Sequence, residues 1–507
     1  MKRLTKNFIL TLIIACLLGS VSAKDKNAIN RSIVERNSNF DNFYLSLEKN
    51  LEQMAEDLDQ HLAKKKKDLP IFNVVTDFKA DNSGFALTTK HIQHAVDSCT
   101  SIGGARLFFP KGMYLLGTVI LKSNVHFEFA DEAKIIASTN PDDYIEISPD
   151  YKNNTDRQVN KSLFYAEHAH DISFRGKGII DFQGDHPQYL YTGNNDPRRP
   201  FGIRIVSSKN IYMNGLFLQN SPQWMQHYLD CENVMIENVN VFNHAHQNND
   251  GMDIDGCRNV YVRNCRVDSD DDAICLKSNG LSPCKNVLIE DCKASSHCNA
   301  LKLGTETTGG FYNIIYRNCE VLSSVTGTHH VNGVASTRTA ITLIITDGGR
   351  MENVWFDNIK ATGCLTPIYV TLGNRSRKHT DNVAKPGIGS IENVSISNFH
   401  ATGAGPITSS VTGLDSEHKI KNFSLDNIYI ELSEPGKMEQ LEEDNFEQLF
   451  AKKKASYPSS HVWEYLPTAG FYFRYIDGLN LNNIEIQNNC NDPRKIMITD
   501  GCENIRK

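Results

Sequence analysis

Between Val267 and Gly280 the chain reads VDSDDDAICLKSNG. Asp268, Asp270, Asp271 and Asp272 put four carboxylates into five positions, directly ahead of an alternating apolar run. Strands disfavour Asp, and like charges held together repel. A second acidic group lies upstream in NNDGMDI, with Asn248, Asn249, Asp250, Gly251 and Asp253. Taken alone, either group reads as a solvated turn, or as a calcium loop in the case of the Asp run. Taken together they suit acid–base chemistry, because neighbouring negative charge keeps one carboxyl protonated near neutral pH while another stays ionised.

Something has to hold these groups side by side. The segments NIYMNGLFLQN (from Asn210), NVMIENVNVFN (Asn233), NVYVRNCRVDS (Asn259), NVLIEDCKASS (Asn286) and NIIYRNCEVLS (Asn313) repeat one pattern, and the same pattern returns at Asn353, Asn393 and Asn422. Each opens on Asn, alternates apolar and polar residues, turns a polar corner and alternates again. The first steps are 23, 26, 27 and 27 residues. Period-2 alternation inside a repeat of this length specifies a strand solenoid, whose rungs bury their inner faces only by stacking. Asn at the corners tolerates left-handed backbone and hydrogen-bonds along the stack. Cys265, Cys292 and Cys319 share one rung position and are expected to be buried free thiols rather than disulfides. TTKHIQHAVDSC (Thr88 to Cys99) has helical spacing and could cap the open first coil.

The 507 residues carry a formal charge of −7, which gives no support to nucleic-acid binding. Residues 1–23 read as a secretory signal: Lys2, Arg3 and Lys6, then Phe8 to Leu18, then Val21-Ser22-Ala23. Ile13-Ile14-Ala15-Cys16 is a competing lipoprotein box that would anchor the chain through Cys16. The expectation is export to the periplasm or beyond, with no membrane span. Residues 24–68 are charged and helix-prone, and 69–507 are expected to form a single catalytic domain. A monomer is expected, with no cofactor and no metal.

The stretches FNVVTDFKADNSGFALTTKHIQHAVDSCTSIGGARLFFPKGMYLLGTVILKSNVHFEFADEAKIIAS, FRGKGIIDFQG and RRPFGIRIVSSKNIYMNGLFLQNSPQWMQHYLDCENV resemble the polygalacturonase family, family 28 of the glycoside hydrolases. The resemblance covers roughly residues 70 to 500. The late SYPSSHVWEYLPTAGFYFRYIDGL is similar to a bacterial subgroup. The resemblance implies an all-β, right-handed parallel β-helix with an N-terminal helical cap. It implies a secreted hydrolase that cuts a pectin-like or other uronate-containing polysaccharide with inversion. Its N-T-D-G-x-D and D-D motifs match NNDGMD and Asp271-Asp272, implying Asp271 as general acid and Asp250 and Asp272 as holders of the attacking water. Asn248 belongs to the same motif, and Asp268 and Asp270, which have no family role, are expected to be solvated.

Two family motifs depart. Where G-H-G is usual the chain reads SSHCNALKLGTE, so Asn299 takes the histidine's place, with His297 two residues earlier. Residues two apart on a strand point the same way, which would turn His297 to the groove. Where R-I-K is usual stand Thr342, Leu343 and Ile344. Lys302 could replace the missing cation for a substrate carboxylate, as could Lys277, Arg338 or Arg350. Trp224 could stack on a sugar with His227 beside it, or both could be core. The adjacent histidines of SSVTGTHHVNGVASTRT could wall the groove. The competing functions are a β-helix polysaccharide lyase and a non-catalytic glycan-binding protein.

Overall fold

The computed structural model describes residues 23–154, 160–189, 196–324, 336–436, 450, 454–463 and 466–507, with backbone alone for 23–39, 65, 66 and 463. The segment expected to be a signal, and the paired histidines at 329 and 330, lie outside the described residues, apart from Ala23. The chain divides into two compact units, Met1–Asn50 and Leu51–Lys507. The break falls inside one helix, Ala23–Lys67. From Leu51 onward the helix buries Leu51, Ala55, Leu58 and Leu62. It is tied to the coil by Glu52–Arg317 at 2.6 Å, Asp59–Arg175 at 3.1 Å and His61–Asp171 at 2.9 Å.

From Ile71 the chain winds a parallel β-helix, in the right-handed sense that parallel connections take. Twelve described strands stack as one sheet and twenty-two as the other. The inward residues form a continuous apolar core from Val74 to Leu481, including the phenylalanine stack Phe109, Phe127, Phe174. Helix Thr89–Ser101 buries Ile92, Ala95, Val96 and Cys99 over the first coils, where the spacing places a cap.

The corner asparagines do what their type allows. Asn210, Asn233, Asn259, Asn286, Asn313, Asn353, Asn393 and Asn422 all have φ between 53° and 61°. Each side-chain amide donates to the carboxamide oxygen one coil earlier, at 3.0 to 3.2 Å from Asn233 to Asn422. Each half-buried amide thus satisfies its neighbour, with the exposed Asn422 at the end of the row, and the ladder supports coil register. Cys265, Cys292 and Cys319 are buried free thiols, as are the other described cysteines apart from the half-buried Cys490 and Cys502. Among the described residues no helix is long and apolar enough to cross a membrane.

Candidate active site

Three strands of the twelve-stranded sheet build the site: Met252–Asp255, Ile274–Ser278 and Asn299–Thr307. They are in register, Asp253 beside Cys275 and Cys275 beside Lys302. Their inward residues Ile254 and Leu276 fill the core, so Asp253, Asp255, Lys277 and Lys302 face out together. The turns ahead of the first two strands carry the catalytic candidates. The Gly251 amide donates to Asp272 O at 2.8 Å, which fixes Asp250 and Asp272 on adjacent coils. A Cβ on Gly251 would lie 2.2 Å from Val267 Cγ1, so only glycine permits this approach.

Lys277 is at the centre, 3 % exposed in its side chain. Its ammonium lies 3.2 Å from Asp250, 3.3 Å from Asp253, 3.6 Å from Glu306 and 3.8 Å from Asp272, and 4.5 Å from the ring centre of Trp224. Lys302 Nζ donates to Asp272 Oδ2 at 2.5 Å, and Asn299 Nδ2 to Asp272 Oδ1 at 2.6 Å. Asn299 is braced in turn by the Thr342 hydroxyl at 2.8 Å. Asp271, half-buried, accepts from Asn248 Nδ2 at 3.3 Å and from the Asp272 amide at 2.9 Å. Its carbonyl is pinned by the hydroxyls of Ser269 and Ser296, at 2.7 and 2.5 Å.

Four carboxylates cannot all be ionised around one ammonium, and the surroundings sort them. Burial raises Asp250 well above the usual carboxylate range, with Asp253 adding repulsion that Lys277 only partly offsets. Burial likewise pushes Asp253 up to about 8. Asp271 is raised by burial and by the charge of Asp272. For Asp272 burial also works upward, but Lys302 and Lys277 outweigh it and hold the carboxyl below its ordinary value. Glu306 is treated similarly: Lys277, Arg377 and Arg375 overcome its burial. The surroundings therefore favour negative charge on Asp272 and Glu306, while Asp250, Asp253 and Asp271 hold their protons to higher pH than an ordinary carboxyl does.

The positions expected from the sequence divide. Asp250, Asp271, Asp272, Asn248, Asn299, Lys302 and Trp224 come together. His227 does not reach the groove: it is fully buried beneath Trp224 and bonds Asp255 at 3.0 Å. His297 is likewise turned away, 1 % exposed, its Nδ1 2.5 Å from Asp270 Oδ1. It sits in the bend before strand Asn299–Thr307, where alternation does not apply. Asp268 and Asp270 are not solvated but 6 % and 0 % exposed, and both bond His244, at 2.9 and 3.0 Å. Burial disfavours the imidazolium of His244, yet the two carboxylates push it up to about 9.

Sequence reasoning missed Glu306 and the central place of Lys277. Of the four candidate cations, Arg350 lies on the other sheet paired with Glu392. Lys277 and Lys302 are occupied by carboxylates. Arg338 is 6 % exposed, its Nη1 donates only to the Cys298 thiol at 3.4 Å, and its Nη2 has no hydrogen-bond partner among the described residues.

The model of the glycosyl hydrolases family 28 matches residues 99–448. A probable polygalacturonase of Vitis vinifera is 30 % identical over 214 residues, 40 % of this chain and 44 % of that protein. The matched stretch thus spans less than half the length of such curated relatives. A family 28 exopolygalacturonase of Yersinia enterocolitica has a similar fold, with TM-score 0.64 and 18 % identity over 86 % of this chain and 78 % of its own. A hyperthermoactive exopolygalacturonase of Thermotoga maritima superposes with TM-score 0.61 and 21 % identity, over 75 % of this chain and 92 % of its own.

Proposed function

The chain belongs to family 28 of the glycosyl hydrolases, and from that membership we propose that it hydrolyses glycosidic bonds of a pectin-like, uronate-containing polysaccharide with inversion. Asp271 is the general acid and gives its proton to the leaving glycosidic oxygen. Asp272 is the base: it takes a proton from a water whose oxygen attacks the anomeric carbon from the opposite face. Asp250 steadies that water through Oδ1, which no side chain among the described residues occupies.

One observation carries this reading. Adjacent carboxyls, Asp271 and Asp272, are driven in opposite directions, one raised and one lowered, by burial on one side and Lys302 on the other. A pair of groups so separated is what an acid and a base on one substrate require. Trp224, held edge-on to His227 with Lys277 against its ring, offers a sugar platform. Lys302 serves Asp272 and not the substrate, and the uronate carboxylate is met by Arg338. Because a single displaced cation replaces the usual basic motif, unmodified polygalacturonan is a poor substrate beside a differently decorated polymer. Residues 1–23 direct export.

The test is a panel of purified pectic and other uronate polysaccharides, assayed for reducing ends and for unsaturated products in parallel. Release of reducing ends without unsaturation, lost in Asp271→Asn, supports the hydrolase. Unsaturated products would replace it with the lyase, and no cleavage of any polymer by folded protein would leave a glycan-binding protein.

A further inference from the structure

We propose that the buried corner formed by His244, Asp270 and His297 is a binding site for one divalent transition-metal ion of the zinc type. The three residues occupy the same position on three successive coils. Each follows a register-matched residue, Asn243 paired with Ser269 and Ser269 with Ser296. The sequence steps are therefore one coil each, 270 − 244 = 26 and 297 − 270 = 27. Stacked strands lie about 4.8 Å apart, so a carboxylate on the middle coil meets an imidazole from above and one from below.

The donor atoms converge. One atom from each residue lies within 4.8 Å of the others. Asp270 Oδ1 is 3.0 Å from His244 Nδ1 and 2.5 Å from His297 Nδ1. Asp270 Oδ2 is buried and has no hydrogen-bond partner among the described residues, which leaves a further donor within the same corner. The outer nitrogen of His244 is already supported. Its Nε2 lies 2.9 Å from Asp268 Oδ1, and Ser324 Oγ donates to that same oxygen at 2.7 Å. A carboxylate behind a metal-binding imidazole fixes its orientation and tautomer and raises its basicity.

Two imidazole nitrogens with a carboxylate suit zinc, whereas calcium and magnesium favour all-oxygen sets. Donors about 2.0 to 2.2 Å from zinc stand somewhat over 3 Å apart, so Asp270 Oδ1 needs to draw back from the two imidazole nitrogens by less than about 1 Å. All three ligands are at most 5 % exposed, so the site is shielded from bulk solvent, and the fourth tetrahedral position falls to a water or to Asp270 Oδ2. Asp270 adjoins Asp271 in the chain, and His297 donates its backbone amide to Ser269 O at 3.1 Å. An ion here ties three coils together beneath the turn that carries Asp271.

The experiment is elemental analysis of the full-length protein, purified without chelator and again after refolding with Zn²⁺ or Co²⁺. One zinc per folded chain is expected, with ligand-field absorption of tetrahedral Co²⁺ in the cobalt form. His244→Ala, His297→Ala and Asp270→Asn should lose both. Asp268→Asn, which keeps every ligand and is expected to fold even if the other variants do not, should bind about 10- to 100-fold more weakly. The thermal midpoint of the wild type should rise with Zn²⁺, while that of any folded ligand variant should not. Only traces of metal in folded wild type with no cobalt bands, or full metal retained in the ligand variants, would overturn the site and leave a metal-free chain of charged hydrogen bonds.

Discussion

Replacing Lys302 by Met tests whether that lysine serves the base or the substrate. Its ammonium is 2.5 Å from Asp272 Oδ2, and both side chains are 2 % exposed. At 4 Å and an effective dielectric of 20, a charge pair is worth about 4 kcal/mol. Each pH unit corresponds to 1.36 kcal/mol, so removing the partner should raise the Asp272 pKa by about two to three units, allowing for relaxation. Asp272 lies below its ordinary value in the folded protein, so its carboxylate is the working form and is lost as pH falls. The acid limb of kcat/KM should therefore move to higher pH by about two to three units. Because the effect falls on the base, a uronate polymer and its carboxyl-reduced counterpart should suffer alike. The assay is initial reducing-end release across pH on both substrates, with circular dichroism as a control on folding. A Lys302→Met enzyme that fails on the uronate polymer yet cuts the neutral one at the wild-type rate and pH profile would refute the assignment. It would return Lys302 to substrate binding.

Asp271→Asn should lower kcat by about 10²- to 10⁴-fold with the fold unchanged, and Asp272→Asn nearly as much, measured at the wild-type pH optimum. Arg338→Met should raise KM for the uronate polymer and leave the carboxyl-reduced polymer untouched; equal losses on both would remove Arg338 from carboxylate recognition. Asp253 carries a folded-state pKa of about 8 against 3.8 unfolded, so its contribution to stability is complete below pH 4 and drains away as pH rises through 8. Asp253→Asn should accordingly flatten the decline of the thermal midpoint between pH 4 and pH 8, and an unchanged slope would contradict the assignment.

The solenoid was legible because its constraint repeats. An asparagine at one corner is ambiguous, but eight of them ahead of alternating apolar residues leave few alternatives, and every one adopts the left-handed φ that its side chain permits. That Asp250, Asp271 and Asp272 lie close together was legible for a related reason, since a separation of 21 residues is close to one coil. What could not be read was direction out of the strands. His297 and Asn299 differ by two positions, yet a bend between them sends one ring to Asp270 and the other side chain to Asp272. Lys277 looked like one surface cation among several, because its four carboxylate neighbours come from different stretches of the chain. Glu306 carried no motif at all.

These misses share a cause, which bears on how the site works. A strand solenoid presents its outward residues as a row, so a charge introduced on one coil is felt on the next. Asp272 is held below its ordinary value because Lys302, one coil later, and Lys277 oppose its burial. Asp271 is raised by its burial and then by the charge of Asp272, its chain neighbour. In this chain the position expected for a basic side chain holds Thr342, which braces Asn299 against Asp272. The cation that matters to the carboxylate pair stands one coil earlier, with Lys302 beside Thr342 in register. In the proposed function the basic motif is therefore divided: Lys302, with Lys277, lowers Asp272, and Arg338, four residues ahead of Thr342, is assigned to the substrate carboxylate. A Lys302→Met, Thr342→Lys double variant tests this directly. Restoring a cation one coil away should leave the acid limb displaced if the coil position governs Asp272, whereas return of the wild-type profile would show that any nearby positive charge suffices.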